Sequence, residues 1–301
     1  MSLAQQPKTN LLDALFGQAR LKLYGWLSLA TQIGIVVTGG AVRLTGSGLG
    51  CPTWPRCTED SYVSTPEMGF HGVIEFGNRL LTFVLLIVAI LTFITVLRAR
   101  KQRKGLLLPS IGLGLGIILQ AVIGGITVLT GLNSWVVGLH FLVSGALIAL
   151  ASLLVWRIYS PKTEIVSELG QLTRWPLIVT GTLAIIAGVI VTGAGPHAGD
   201  ANTPRNGLDL EIWQHYHSYP AYAMTGLMAV ALISQWLLHR SFTVSVRALS
   251  IGLAIAISQA ILGVIQARTG VPALLVGIHM FGAALTCSAI AFQALALKRR
   301  Y

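Results

Sequence analysis

The sequence predicts an all-α integral membrane protein, with eight transmembrane helices forming two pseudo-symmetric four-helix bundles. Three observations predict it. The composition is too apolar for a soluble chain, the basic residues fall on one side of the inferred spans, and an internal repeat ends each time on a histidine.

Of 301 residues, 54% are hydrophobic and 10% charged, and the mean hydropathy is +0.73. A soluble domain cannot solvate such a surface. Eight apolar stretches centre near Val36, Val88, Ile118, Ala149, Ile186, Met228, Ala256 and Leu285. Each approaches the ~20 residues a helix needs to cross the hydrocarbon.

The net charge is +11, which by itself would admit a nucleic-acid partner. Numbered from an inside N-terminus, sixteen of the twenty-one basic residues lie on one side: Lys8, Arg20, Lys22, the run from Arg98 to Lys104, Arg157, Lys162, Arg174, Arg240, Arg247 and Lys298 to Arg300. Arg43, Arg56, Arg205 and Arg268 lie opposite. This is the positive-inside pattern. It puts both termini in the cytoplasm, requires an even number of spans, and argues against a nucleic-acid partner; the expected location is the plasma membrane. The first twenty residues contain no apolar core, so the first span is expected to be retained rather than cleaved.

The first stretch carries Val37-Thr38-Gly39, echoed by Val191-Thr192-Gly193 in the fifth. Gln120 to His140, covering the third and fourth stretches, recurs 139 residues later as Gln259 to His279, with nine of twenty-one positions identical. The halves are therefore 1–160 and 161–301, in the same orientation, as in parallel-repeat membrane folds. The first half has fifteen extra residues, the difference between the two offsets of 154 and 139, in its first external loop. That loop holds Cys51 and Cys57. Their Cys-x5-Cys spacing does not suit zinc, and two thiols facing an oxidising exterior most simply form a disulfide. Cys287 reads as a small buried apolar residue.

Four polar positions fall at similar outer depth. The repeat offset carries Asn78 onto His217 and His140 onto His279. Two histidines on facing helices are what a six-coordinate heme requires; the alternative for either is a neutral imidazole in a polar pocket. His215 is a rival to His217, but it falls off the repeat offset. His71, Glu75 and Asn78 follow at i, i+4 and i+7 on one helical stripe. Arg79 next to them offers a plain i, i+4 ion pair with Glu75. The Gly-rich loops 43–57 and 195–200 are shaped by their glycines and prolines. Neither leads into a helix with a phosphate-binding lysine, and His197 reads as a loop-packing residue.

With those residues in view, the chain resembles the heme A synthase family over nearly its whole length. The resemblance rests on Gly39-Gly40-x-x-Arg43-Leu-Thr-Gly, Cys51-Pro-x-Trp-Pro-x-Cys57, Glu75-x-x-Asn78-Arg79, Gly138-x-His140, Gly195-Pro-His-Ala-Gly-Asp200, His217 and Gly277-x-His279. It departs from the family pattern at Asn78, where histidine is usual, and at Ser218, where a basic residue is usual.

The resemblance implies a heme-dependent membrane monooxygenase that converts the C8 methyl of heme O to the formyl of heme A. One bundle would hold a permanent heme b and the other would receive heme O. The His217/His279 pair assigns heme b to the second half. His140, with Asn78 or His71 opposite, assigns heme O to the first, with Glu75 as the acid of the reacting site. The Cys51–Cys57 loop would close over the first bundle's mouth. Expected partners are the lipid bilayer, a heme O synthase and an external electron donor, with a homo-oligomer left open. The competing readings are a diheme quinol-oxidising electron-transfer cytochrome and a duplicated transporter.

Overall fold

Each apolar stretch folds as one helix. The computed structural model describes residues 11–161 and 164–298. Lys8, Lys162, Arg299 and Arg300 of the charge pattern, and both chain ends, lie outside them. A short helix α1 (Leu11–Phe16) leads into α2 (Leu21–Leu44), followed by α3 (Gly69–Ala99), α4 (Leu107–Leu129), α5 (Ser134–Tyr159), α6 (Glu168–Ala194), α7 (Leu210–His239), α8 (Val244–Arg268) and α9 (Ala273–Ala296). Eight helical segments are long and apolar enough to cross a membrane, the first running from α1 through α2. Exposed apolar side chains such as Phe83, Ile87, Leu115, Ile118, Ile233 and Ile261 cover their outer surfaces, as suits lipid contact. The chain is a multi-pass membrane protein.

Helices α2 to α5 pack in a ring, α2 on α3, α3 on α4, α4 on α5 and α5 back on α2. Helices α6 to α9 close a second ring in the same way. The seam between them is made by α2 and α5 against α9, and by α5 against α6. It is close-packed: a Cβ on Gly40 would meet Met280 Cε at 3.1 Å, and one on Gly145 would meet Cys287 Sγ at 3.2 Å. In the middle of the seam the Ser152 and Ser288 hydroxyls pair at 2.8 Å. The largest buried cluster, including Leu147, Ile148, Leu154, Ala284 and Cys287, spans both halves there.

The repeat is visible in the backbone before each histidine helix. Gly131 (φ 60°) and Gly270 (φ 78°) end α4 and α8 in the left-handed conformation, and the next residues, Leu132 (φ 60°) and Val271 (φ 58°), follow them there. Leu132 N–H donates to Thr127 O at 2.8 Å and Val271 N–H to Gln266 O at 2.9 Å, the closing bond of a Schellman turn. Thr-Gly is retained in both halves because the chain must reverse there and start the next helix in a fixed register. For the β-branched Val271 the conformation is a strained one.

On the basic face, arginines reach helix-terminal and loop carbonyls: Arg157 donates to Gly105 O at 2.6 Å, Arg174 to Ala294 O at 2.7 Å, and Arg103 to Ile158 O. Arg98 pairs with Asp13 at 2.5 Å. The linker docks by Glu164, which accepts from Val244 N–H at 2.6 Å and from Ser245 N–H at 3.0 Å, at the start of α8.

Candidate functional site

Side-chain caps start two of the three histidine helices, while α9 begins after Pro272 without one. Asn133 accepts from Trp135 N–H ahead of α5, and Asp209 from Ile212 N–H ahead of α7. Counted from the helix starts, His140 is six residues into α5, His279 six into α9 and His217 seven into α7. At 1.5 Å per residue these are depths of about 9–10 Å.

In the second half, the rings of His217 and His279 lie 6.1 Å apart between centroids, with planes 79° apart. His217 donates its Nδ1–H to Ala184 O at 2.8 Å, which fixes the ring and leaves Nε2 as the acceptor nitrogen. Gly188 lies beneath this ring, where a Cβ would meet Cε1 at 3.0 Å. The spacing fits a shared metal. A metal–imidazole bond of about 2 Å, plus about 1 Å from nitrogen to ring centre, places two imidazoles on one ion with centroids about 6 Å apart. His215 instead bonds Glu211 O of its own helix, at 2.8 Å, and is exposed.

His140 and His279 share a setting. A Cβ on Gly124 would meet His140 Cε1 at 3.3 Å, and one on the repeat-matched Gly263 would meet His279 Cε1 at 3.5 Å. Both rings leave a buried Nδ1 without a partner. A buried polar atom without a partner costs about 1–3 kcal/mol. The same atom in both repeats is one that a bound group with polar contacts of its own would satisfy. Gln120 supports the backbone beneath His140, donating to its carbonyl at 3.0 Å.

The three residues of the α3 stripe have three different settings. Asn78, nine residues into α3, accepts from the Thr38 hydroxyl of α2 at 2.7 Å. His71, two residues into α3, is exposed, and its Nδ1 meets the buried Ser47 hydroxyl at 2.8 Å. That puts His71 about 10 Å farther out along α3 than Asn78. Glu75 is buried between them. Its Oε2 accepts from Cys51 N–H at 2.5 Å, and its Oε1 is paired with Arg79 at 2.5 Å.

Arg79 then reaches the loop, donating to the carbonyls of Cys51 at 2.8 Å, Thr53 at 3.0 Å and Arg56 at 3.1 Å. The i, i+4 pair read from the sequence is present, and it also clamps the loop. Cys51 and Cys57 form a disulfide within that loop, with Cα atoms 4.4 Å apart.

In the sequence Arg43 stood out only as an external basic residue and as part of a motif. Its Nε donates to His197 O at 2.5 Å and its Nη2 to Thr192 O at 2.7 Å, tying the end of α2 to the second half. Beside it Gly48 N–H donates to Gly199 O at 2.8 Å. His197 packs between loops, its Nε2 meeting Val271 O at 2.9 Å. Thr38 was visible only through its echo in Thr192; Gly124 and Gly263 stood in the repeat, without a sign that they face the imidazoles.

The family described as cytochrome oxidase assembly protein (COX15-CtaA) matches residues 22–291. The chain belongs to this family. It is similar to a protein of Bacillus pumilus named heme A synthase, with 30% identity over 182 residues that cover 58% of this chain and 57% of that protein. A heme A synthase of Lysinibacillus sphaericus is 32% identical over 179 residues, 56% of each chain. Against a heme A synthase of Listeria welshimeri the identity is 24% over 272 residues, covering 83% of this family member and 87% of the relative. The chain thus spans a little over half the length of the Bacillus and Lysinibacillus relatives in those matches.

Proposed function

We propose that this chain is a heme A synthase, oxidising the C8 methyl of heme O to a formyl group in two successive hydroxylations. The second hydroxylation gives a geminal diol, which loses water to leave the aldehyde. The oxygen atoms and reducing equivalents come from outside the chain. The observation that carries the reading is the His217–His279 pair at 6.1 Å in a member of a family whose relatives are named for this activity. Those names favour it over an electron-transfer cytochrome or a transporter.

In this reading the second half (161–301) holds heme b between His217 and His279. Bound there, heme b supplies one-electron redox chemistry. His217 is held for that task by Ala184 O, and Gly188 and Gly263 keep Cβ atoms away from the rings. The first half (1–160) takes heme O against His140. Asn78 opposite is a poor iron ligand, which suits a substrate that must leave; His71 sits at the mouth, oriented by Ser47. Glu75 contributes charge rather than a free proton, because donors occupy both of its oxygens. The basic face is assigned to the cytoplasm and the disulfide loop to the exterior of the plasma membrane. A heme O synthase would supply the substrate.

The test is expression under aerobic, reducing conditions with a source of heme O, followed by extraction and mass analysis of the hemes. Heme A should appear only when this chain is present. Its failure to appear sinks the assignment.

A further inference from the structure

Gly124 and Gly125 are neighbours on α4 with different loads. Gly124 faces the imidazole of His140, while a Cβ on Gly125 would run into the indole of Trp54, meeting Cδ2, Cε2 and Cγ. Trp54 belongs to the disulfide loop, so the Arg79–Glu75 clamp sets its ring down on the residue adjoining the one beneath His140. This packing leaves Trp54 as a whole 38% exposed, so part of the residue is free for a further contact. The second half has neither part: the fifteen extra loop residues are missing, and the repeat places Val264 where the first half has Gly125. Loop, glycine and tryptophan thus occur together, and only in the half that the proposed function gives to the substrate.

We propose that Trp54 forms a wall of the substrate-heme site beside His140, its open face stacking on the flat apolar macrocycle while Gly125 supports the other. This rests on the proposed function and adds to it a positioning residue for the substrate. Stacked aromatic contacts are worth about 0.5–1.5 kcal/mol beyond the area they bury. Losing the wall should therefore weaken heme binding roughly 3- to 10-fold without touching the other half.

The experiment titrates purified protein, carrying its resident heme, with ferric protoporphyrin IX, following heme absorbance and tryptophan fluorescence. Wild type should take up one further equivalent with quenching. Trp54→Phe should bind it within about 2-fold, because it keeps an aromatic face, and should lack the quenched component. Trp54→Ala and Gly125→Val, the latter unseating the indole but leaving the loop sequence intact, should each show the weakened second equivalent with an unchanged resident spectrum. Should Trp54→Ala fail to accumulate, Gly125→Val decides alone. Wild-type affinity in both variants, with His140→Ala losing the second equivalent, overturns the wall but leaves the synthase reading. A wild-type protein that takes up no second equivalent overturns both.

Discussion

His217 and His279 hold their rings 6.1 Å apart and nearly perpendicular, from matched positions seven and six residues into α7 and α9. As the proposed ligand pair on two helices, they would saturate and retain an iron. Replacing either with alanine should remove the low-spin heme b spectrum from the isolated protein, with affinity reduced at least about 100-fold. His140→Ala should keep that spectrum while stopping heme O conversion. The reverse pattern would exchange the two site assignments.

Glu75→Gln keeps the shape of the side chain and removes its charge. Heme A formation should fall at least about 10-fold, while the resident heme spectrum stays intact. Turnover at the wild-type rate would reduce Glu75 to a brace for Arg79. Arg79→Lys keeps the charge but loses the fork that reaches three loop carbonyls, so limited proteolysis should cut loop 51–57 faster than in wild type.

The disulfide is tested by counting thiols in denatured protein, since Cys51 and Cys57 are both fully buried when folded. Maleimide in detergent without reductant should modify Cys287 alone, and with reductant all three cysteines. Three modified thiols without reductant would show that the bridge is absent.

Glu164 sits in the linker, outside the spans. Partial burial pushes its carboxyl up, but the Ser245 N–H and hydroxyl and the Val244 N–H together hold it below the ordinary value of 4.5. A depressed folded pKa means stability that is present above that ordinary value and lost as pH falls through the folded one. Glu164→Gln should therefore lower thermal stability at pH 7, by about 1 kcal/mol as for other helix-start caps. The gap between variant and wild type should close as the pH drops below about 4.5. A gap of constant size down to pH 3 would mean that the carboxylate charge contributes nothing.

The spans and the disulfide were legible because each depends on neighbours in sequence: runs of apolar residues, and two cysteines six apart. The duplicated histidines were legible for a different reason, since 139 residues of separation leave a copy to compare. The α3 stripe shows where such reading stops. His71, Glu75 and Asn78 share a helical face, yet they are held by Ser47, by Cys51 with Arg79, and by Thr38. No periodicity encodes which distant segment meets each turn. Trp54 on Gly125 was hidden likewise, because the loop reaches α4 across some seventy positions.

Arg43 bolts the outer rim of the seam, the Ser152–Ser288 pair pins its middle, and glycines bring the helices together between them. The two halves are therefore joined at more than one height. Parting them as a clamshell parts around its ligand would break all of these contacts together. An opening confined to one half would leave every one of these ties in place.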